Sequence, residues 1–208
     1  MFTLKQQFIS KTPESRLYQV DCPVIGLTGG IATGKSTVSK ILEDKGLAVI
    51  CADKLVKEVY QSQKTIDHLK SHYPSVLKAK EIDFSKLREL FFGDKKIQED
   101  VEKLIYSQMP ETFLKKYHSF KDPQILIYDV PLLFEKGLDK LVDVTVTVYC
   151  PVEVQLERLI IRDGISEELA RNIISKQMPI DEKAKKSDII IDNSQKQPNL
   201  VHFLNCFL

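Results

Sequence analysis

The chain has 208 residues, of which 43% are hydrophobic and 28% charged, the balance of a globular protein with room for one domain and a sizeable insertion. Its formal net charge of +1 excludes a surface built throughout for nucleic acid, while leaving space for a local basic pocket. No stretch approaches the ~20 apolar residues of a membrane span, and residues 1–22, with Lys5, Lys11, Glu14 and Arg16, lack the apolar run of a secretory signal.

Residues 1–22 read as an extension, helical in part, ahead of the first core strand. Residues 24–27 form a short apolar run ending at a glycine cluster, the pattern of a buried strand. From Lys35 the spacing turns helical, with Val38, Ile41 and Leu42 on one face and Gly46 as the stop. A second strand, 47–50, closes on Cys51-Ala52-Asp53, completing a βαβ unit with parallel strands. Residues 54–120 show no strand pattern but helical spacing over 53–61, 85–92 and 95–120, with Pro110 expected to kink or end the last of these. Strands return at 124–128, running into Asp129, then at 142–149 and 188–193; helices are expected after Pro151, after Ser166 as a cap, and over 198–207. The expected organisation is an extension (1–22), a nucleotide-binding core (23–53 and 121–208) with a lid at about 155–187, and a helical insertion (54–120).

The scattered Cys22, Cys51, Cys150 and Cys206 form no Cys-x-x-Cys pair, so reduced thiols are expected rather than a metal or disulfide framework. His68 and His72 stand one helical turn apart, the spacing of a solvated face or, alternatively, of two metal ligands.

The chemistry concentrates in Gly29-Gly30-Ile31-Ala32-Thr33-Gly34-Lys35-Ser36, a Gly-x4-Gly-Lys-Ser loop between a strand and a helix. Its glycines permit positive φ, its backbone N–H groups form an anion nest, and the following helix adds its positive end. Lys35 is expected to reach the β- and γ-phosphates of ATP, and the Ser36 hydroxyl to ligate Mg²⁺. Asp129, ending an apolar strand, suits a Mg²⁺ carboxylate or, alternatively, the cap of the next turn. Asp53 ends the second strand at the same sheet edge, where it can orient a substrate hydroxyl and accept its proton, or cap a helix, or both. Arg158 and Arg162, at i and i+4 before Asp163-Gly164, suit a lid closing on transferring phosphates; a surface pair near a helix end is the other reading.

Taken together, residues 28–37, 49–53, Asp129-Val130-Pro131-Leu132-Leu133-Phe134-Glu135, Gln155-Leu156-Glu157-Arg158-Leu159 with Arg162-Asp163, Gln177 and 188–193 resemble dephospho-coenzyme A kinases, in order along most of the chain. The resemblance implies a P-loop NTPase-type three-layer α/β fold with a five-stranded parallel sheet, a helical substrate-binding insertion and a lid. It implies an ATP- and Mg²⁺-dependent cytoplasmic enzyme phosphorylating the ribose 3′-hydroxyl of dephospho-coenzyme A, with no nucleic-acid or membrane partner. By position, Asp53 matches the aspartate that engages the acceptor hydroxyl, and Arg88 the arginine of the substrate domain. Pro131, Leu132, Glu135 and Gln177 fall on the substrate side; Thr37 and Asn193 fall on the nucleotide side, with Asn193 opening the adenine-side loop. Three positions depart from the family pattern: Cys51 replaces an aspartate, Tyr106-Ser107 a His-Pro pair, and His72-Tyr73-Pro74 a Phe-Gly pair. They touch acceptor affinity and leave the sheet-edge chemistry intact.

Other classes fit less well. Another small-molecule P-loop kinase, for a nucleoside, nucleotide or sugar acid, would share the loop and lid but not residues 131–135. A GTPase switch would carry an Asn-Lys-x-Asp run, which is missing, and an inactive relative would not keep Lys35, Ser36, Asp53 and Asp129 together.

Overall fold

The computed structural model describes residues 2–78, 81–195 and 197–205. In chain order, β1 (Val24–Gly29), α1 (Lys35–Asp44) and β2 (Ala48–Cys51) come first. Next are α2 (Ala52–Gln61), α3 (Gln63–His72), β3 (Leu77–Lys78), β4 (Glu81–Ile82), α4 (Phe84–Gly93) and α5 (Lys95–His118). The chain then runs through β5 (Leu126–Asp129), β6 (Val144–Tyr149), α6 (Val152–Asp163), α7 (Glu167–Ser175), α8 (Ile180–Lys186), β7 (Ile189–Asp192) and α9 (Val201–Leu204).

Two compact units result: Met1–Cys51 with Phe120–Leu208, and Ala52–Ser119. The first is built on a five-stranded sheet of order β2-β5-β1-β6-β7, parallel throughout. Every residue of β1 and β5 is buried, which is why both read as unbroken apolar runs: a parallel strand covered on both faces has no solvent side to alternate with. Ile25 and Leu27 of β1, Val38 and Leu42 of α1, Val146 and Val148 of β6 and Phe203 of α9 share one core cluster. The chain goes from β1 to β2 on one side and reaches β6 on the other, so β1 lies at the point where the strand order reverses. Open α/β sheets bind ligands beyond the carboxyl ends of such strands.

The extension is part of this core. Leu4, Leu17, Val20 and Cys22 are buried, and Phe2, Phe8 and Ile9 pack against the main cluster. Its backbone makes 3-10 turns at Gln6–Phe8, Pro13–Ser15 and Leu17–Gln19, and Arg16 forms a buried ion pair with Asp143, Nε to Oδ2 at 2.8 Å. The Asp143 carboxylate also accepts from the N–H groups of Ser10 (3.1 Å), Lys11 (2.9 Å) and Val24 (2.9 Å).

In the second unit, α2 and α4 pack against α5. Two expectations are corrected here. Pro110 neither ends nor interrupts α5, whose buried Leu104, Ile105, Met109, Phe113 and Tyr117 hold the helix through the missing N–H by tertiary packing. Residues 54–120 do contain strand: β3 and β4 pair antiparallel, too short for any periodicity to register. In the first unit, the closing helix is confined to α9, and residues 206–207 lie outside the described residues.

Candidate active site

The loop after β1 owes its shape to two left-handed residues, Ala32 (φ 60°) and Gly34 (φ 87°), the latter capping α1. Gly29 and Gly30, expected to supply positive φ, instead supply space. A Cβ on Gly29 would lie 2.7 Å from Thr33 Oγ1 and 2.9 Å from the Val148 carbonyl oxygen, and one on Gly30 would lie 2.5 Å from Gln155 Oε1. Two side-chain amides bond to the loop directly. The Asn193 amide donates to the Thr33 carbonyl at 2.7 Å, and Gln177 Oε1 accepts from the Ile31 N–H at 2.9 Å. Gln155 donates to the Cys150 carbonyl at 3.2 Å. These braces are uncharged, so they shape the anion nest without cancelling its positive potential. Ile31 and Ala32 pack against Leu156, Leu159 and Ala170, which joins the loop to α6 and α7.

Asp129, the last residue of β5, pairs in register with Leu27 of β1 and Cys51 of β2 and is 2% exposed. One carboxylate oxygen forms an ion pair with Lys35 Nζ, and the other accepts from the Ser39 hydroxyl at 2.7 Å. The two charges lie at the start of α1, where its N–H groups face outward. Ser36 and Thr37 are exposed in that first turn. The donors offered to a metal, the Ser36 hydroxyl and the Asp129 carboxylate, are hard oxygens, and no group of three His, Cys, Asp or Glu among the described residues forms a cage. That donor set fits Mg²⁺, which is held by one or two protein oxygens together with phosphates and water.

Beyond Asp129, the Pro131 carbonyl accepts from Thr28 Oγ1 (3.0 Å) and from Lys183 Nζ (2.6 Å). Glu135 Oε1 accepts from Lys183 Nζ (2.9 Å) and from the Met178 N–H (3.1 Å). Leu132 is partly exposed beside them. Burial pushes the Lys183 ammonium toward deprotonation, and the Glu135 carboxylate opposes that shift.

Arg158 and Arg162 both lie on α6, which ends at the left-handed Gly164. Arg158 donates to the Gln195 carbonyl at 3.2 Å, and Arg162 pairs with its neighbour Asp163 at 2.7 Å, holding that carboxyl below its usual range. Among the described residues, no hydrogen bond or ion pair joins either arginine to Asp129.

In the second unit, Asp53 is exposed in the first turn of α2, two residues beyond Cys51. Exposed Arg88 joins Tyr60, Phe84, Leu87, Phe91 and Phe92 around a cavity of about 220 Å³. His68 and His72 stack at 4.2 Å, but His68 bonds Asp100 at 2.7 Å and His72 the His68 carbonyl at 3.0 Å, so the pair is spent on structure. Tyr73 donates to the same Asp100 at 2.9 Å, and burial with that contact pushes its hydroxyl up to about 12.

Ser39 and Lys183 have no part in the sequence motifs, and Gln155 appears there without a role of its own. Ser39 had a signal, since it falls four residues after Lys35 on the buried face of α1. Lys183 had none, because nothing local marks it as the buried one beside Lys185 and Lys186.

A phosphate nest on the reversing strand, with a lysine and a carboxylate at its mouth, defines a P-loop phosphotransferase. The sequence model of the dephospho-CoA kinase family matches residues 23–199. A dephospho-CoA kinase from Fusobacterium nucleatum is 40% identical over 179 residues, 85% of this chain and 92% of that protein. The crystal structure of a Thermus thermophilus protein superposes with a TM-score of 0.78 at 26% identity, covering 89% of this chain and 93% of that one. A dephospho-CoA kinase structure from Campylobacter jejuni gives 0.60 at 28% identity, covering 83% and 89% respectively. The chain belongs to the dephospho-CoA kinase family.

Proposed function

We propose that the chain transfers the γ-phosphoryl group of ATP to the ribose 3′-hydroxyl of dephospho-coenzyme A, giving coenzyme A and ADP, the last step of coenzyme A synthesis. The observation that carries this reading is the Lys35–Asp129 pair at the head of the loop, in a chain matched to the family across residues 23–199. The loop N–H groups and the N-terminal turn of α1 bind the phosphates, and Lys35 leaves Asp129 to bridge the β- and γ-phosphates. Ser36 and Asp129 would hold Mg²⁺, which when bound neutralises charge on those phosphates. The acceptor oxygen bonds to the γ-phosphorus as the bond to the β–γ bridging oxygen breaks, and ADP leaves with that electron pair. Asp53 orients the hydroxyl and takes its proton, while Arg158 and Arg162 offset the transferring charge as the lid closes. Arg88, Leu132 and the other substrate-side residues bind the acceptor, and the reaction runs in the cytoplasm without nucleic acid or membrane.

The test is ADP release from Mg-ATP with and without dephospho-coenzyme A; no acceptor-dependent ADP would sink the assignment. Asp53→Asn is expected to lower kcat by about 100-fold or more while ATP still binds. Near-normal turnover in that variant would remove Asp53 from the catalytic set.

A further inference from the structure

Three lysines stand close together in α8, at 183, 185 and 186; Lys185 and Lys186 are exposed, and Lys183 is 0% exposed. Burying an ammonium is costly, and an apolar side chain of similar length would bury at no such cost, so stability does not explain the choice. What the charge does is visible in its acceptors. The Pro131 carbonyl lies 2.6 Å from Nζ and Glu135 Oε1 lies 2.9 Å from it. The same carbonyl also receives Thr28 Oγ1, on the residue before Gly29, at 3.0 Å. The same carboxylate oxygen receives the Met178 N–H at 3.1 Å, and next door Gln177 holds the Ile31 N–H at 2.9 Å. The contacts close a ring: the end of β1, Pro131, Lys183, Glu135, the 177–178 turn, and back to the loop that β1 feeds. Lys183 is itself fixed, since its carbonyl accepts from the Ser187 hydroxyl at 3.0 Å.

We propose that Lys183 is a positioning residue for phosphoryl transfer, locking residues 131–135 and the 177–178 turn against the phosphate loop. The inference rests on the proposed reaction and adds to it the group that fixes the acceptor-side wall. Without the ammonium, the Pro131 carbonyl keeps Thr28 alone among the described residues, the Glu135 carboxylate loses its counter-charge, and the ring opens. A loose phosphoryl transition state gains most of its rate from placement, and a displacement near 1 Å costs on the order of 100-fold.

The experiment compares the full-length protein with Lys183→Met, Glu135→Gln and the double variant. Turnover of dephospho-coenzyme A, ATP binding by calorimetry and amide hydrogen exchange are measured on each. Lys183→Met is expected to lose roughly 30-fold in kcat while its ATP Kd stays within about threefold. Glu135→Gln should fall in the same direction, and the double variant should fall no further than Lys183→Met, as members of one ring do. Exchange should quicken at Met178 and across 132–136, and at none of the strands of the sheet. A kcat within about twofold of the parent, a loss that tracks ATP affinity or folded fraction, or unchanged exchange at Met178 overturns the proposal. Should Lys183→Met not fold, the kcat and exchange of Glu135→Gln decide the matter. A parent protein inert toward dephospho-coenzyme A would defeat the proposed reaction alone, and exchange at Met178 would still judge Lys183.

Discussion

Replacing Arg16 with methionine isolates the work of the N-terminal extension. The guanidinium donates to Asp143 through Nε at 2.8 Å, and also to the carbonyls of Asp21 (2.7 Å) and Lys11 (2.8 Å). Both charged side chains are almost fully enclosed, at 4% and 0% exposure. Breaking such a pair from one side costs about 3–5 kcal/mol, because the surviving charge stays buried. Asp143 would keep three backbone N–H donors, so the lower end applies, about 3 kcal/mol. For a chain of this size that lowers Tm by roughly 6–12 °C. The pair sits at the amino ends of β1 and β6, opposite the phosphate loop, so ATP affinity should not change below the transition. Adding Asp143→Asn to Arg16→Met should recover part of the loss, since no stranded charge remains. Thermal unfolding followed by circular dichroism is the assay. A Tm drop under about 2 °C, or a double variant worse than the sum of its parts, would refute the reasoning.

The remaining expectations concern the loop and the second unit. Gly34→Ala would force a Cβ onto a residue at φ 87° and within 2.1 Å of the Asn193 amide. It should cost about 2–3 kcal/mol and weaken ATP binding at least tenfold or so; a calorimetric Kd within about twofold of the parent would contradict it. Asp100 is held below its usual range, chiefly by its hydrogen bond from His68. Its contribution to stability is therefore present above the ordinary aspartate value near 3.9 and fades as pH falls through the depressed folded value. Asp100→Asn should cost up to about 1 kcal/mol at pH 7, since the carboxylate is 39% exposed, with the difference narrowing below about pH 4. Urea titrations across that range, giving a pH-independent difference, would exclude the charge as the cause.

The readable parts of the sequence were those in which one local constraint dominates. Gly34 must be left-handed, β1 and β5 must be apolar on both faces, and Asp129 ends its strand where an apolar run can tolerate a charge. Each leaves a signature a few residues wide. The packing of the extension is not legible, because its buried residues, Leu4, Leu17 and Val20, follow no regular period; 3-10 turns scatter them. Gln177 and Asn193 fall by position on the acceptor and adenine sides, and their side chains also meet the phosphate loop, at Ile31 and Thr33. Those contacts span separations of 146 and 160 residues, which no local pattern encodes. Lys183 was hidden for a different reason, since burial of one lysine among three depends on what stands opposite it.

The bond from Asn193 to Thr33 also ties the first loop of the core to the end of its last strand. The loop is synthesised early, but its brace follows β7, the last strand of the sheet. A nascent chain can pair β1 with β5 and β6 and still lack the contact that holds Thr33 in place. The finished geometry of the phosphate loop thus depends on a side chain that follows the last strand of the sheet.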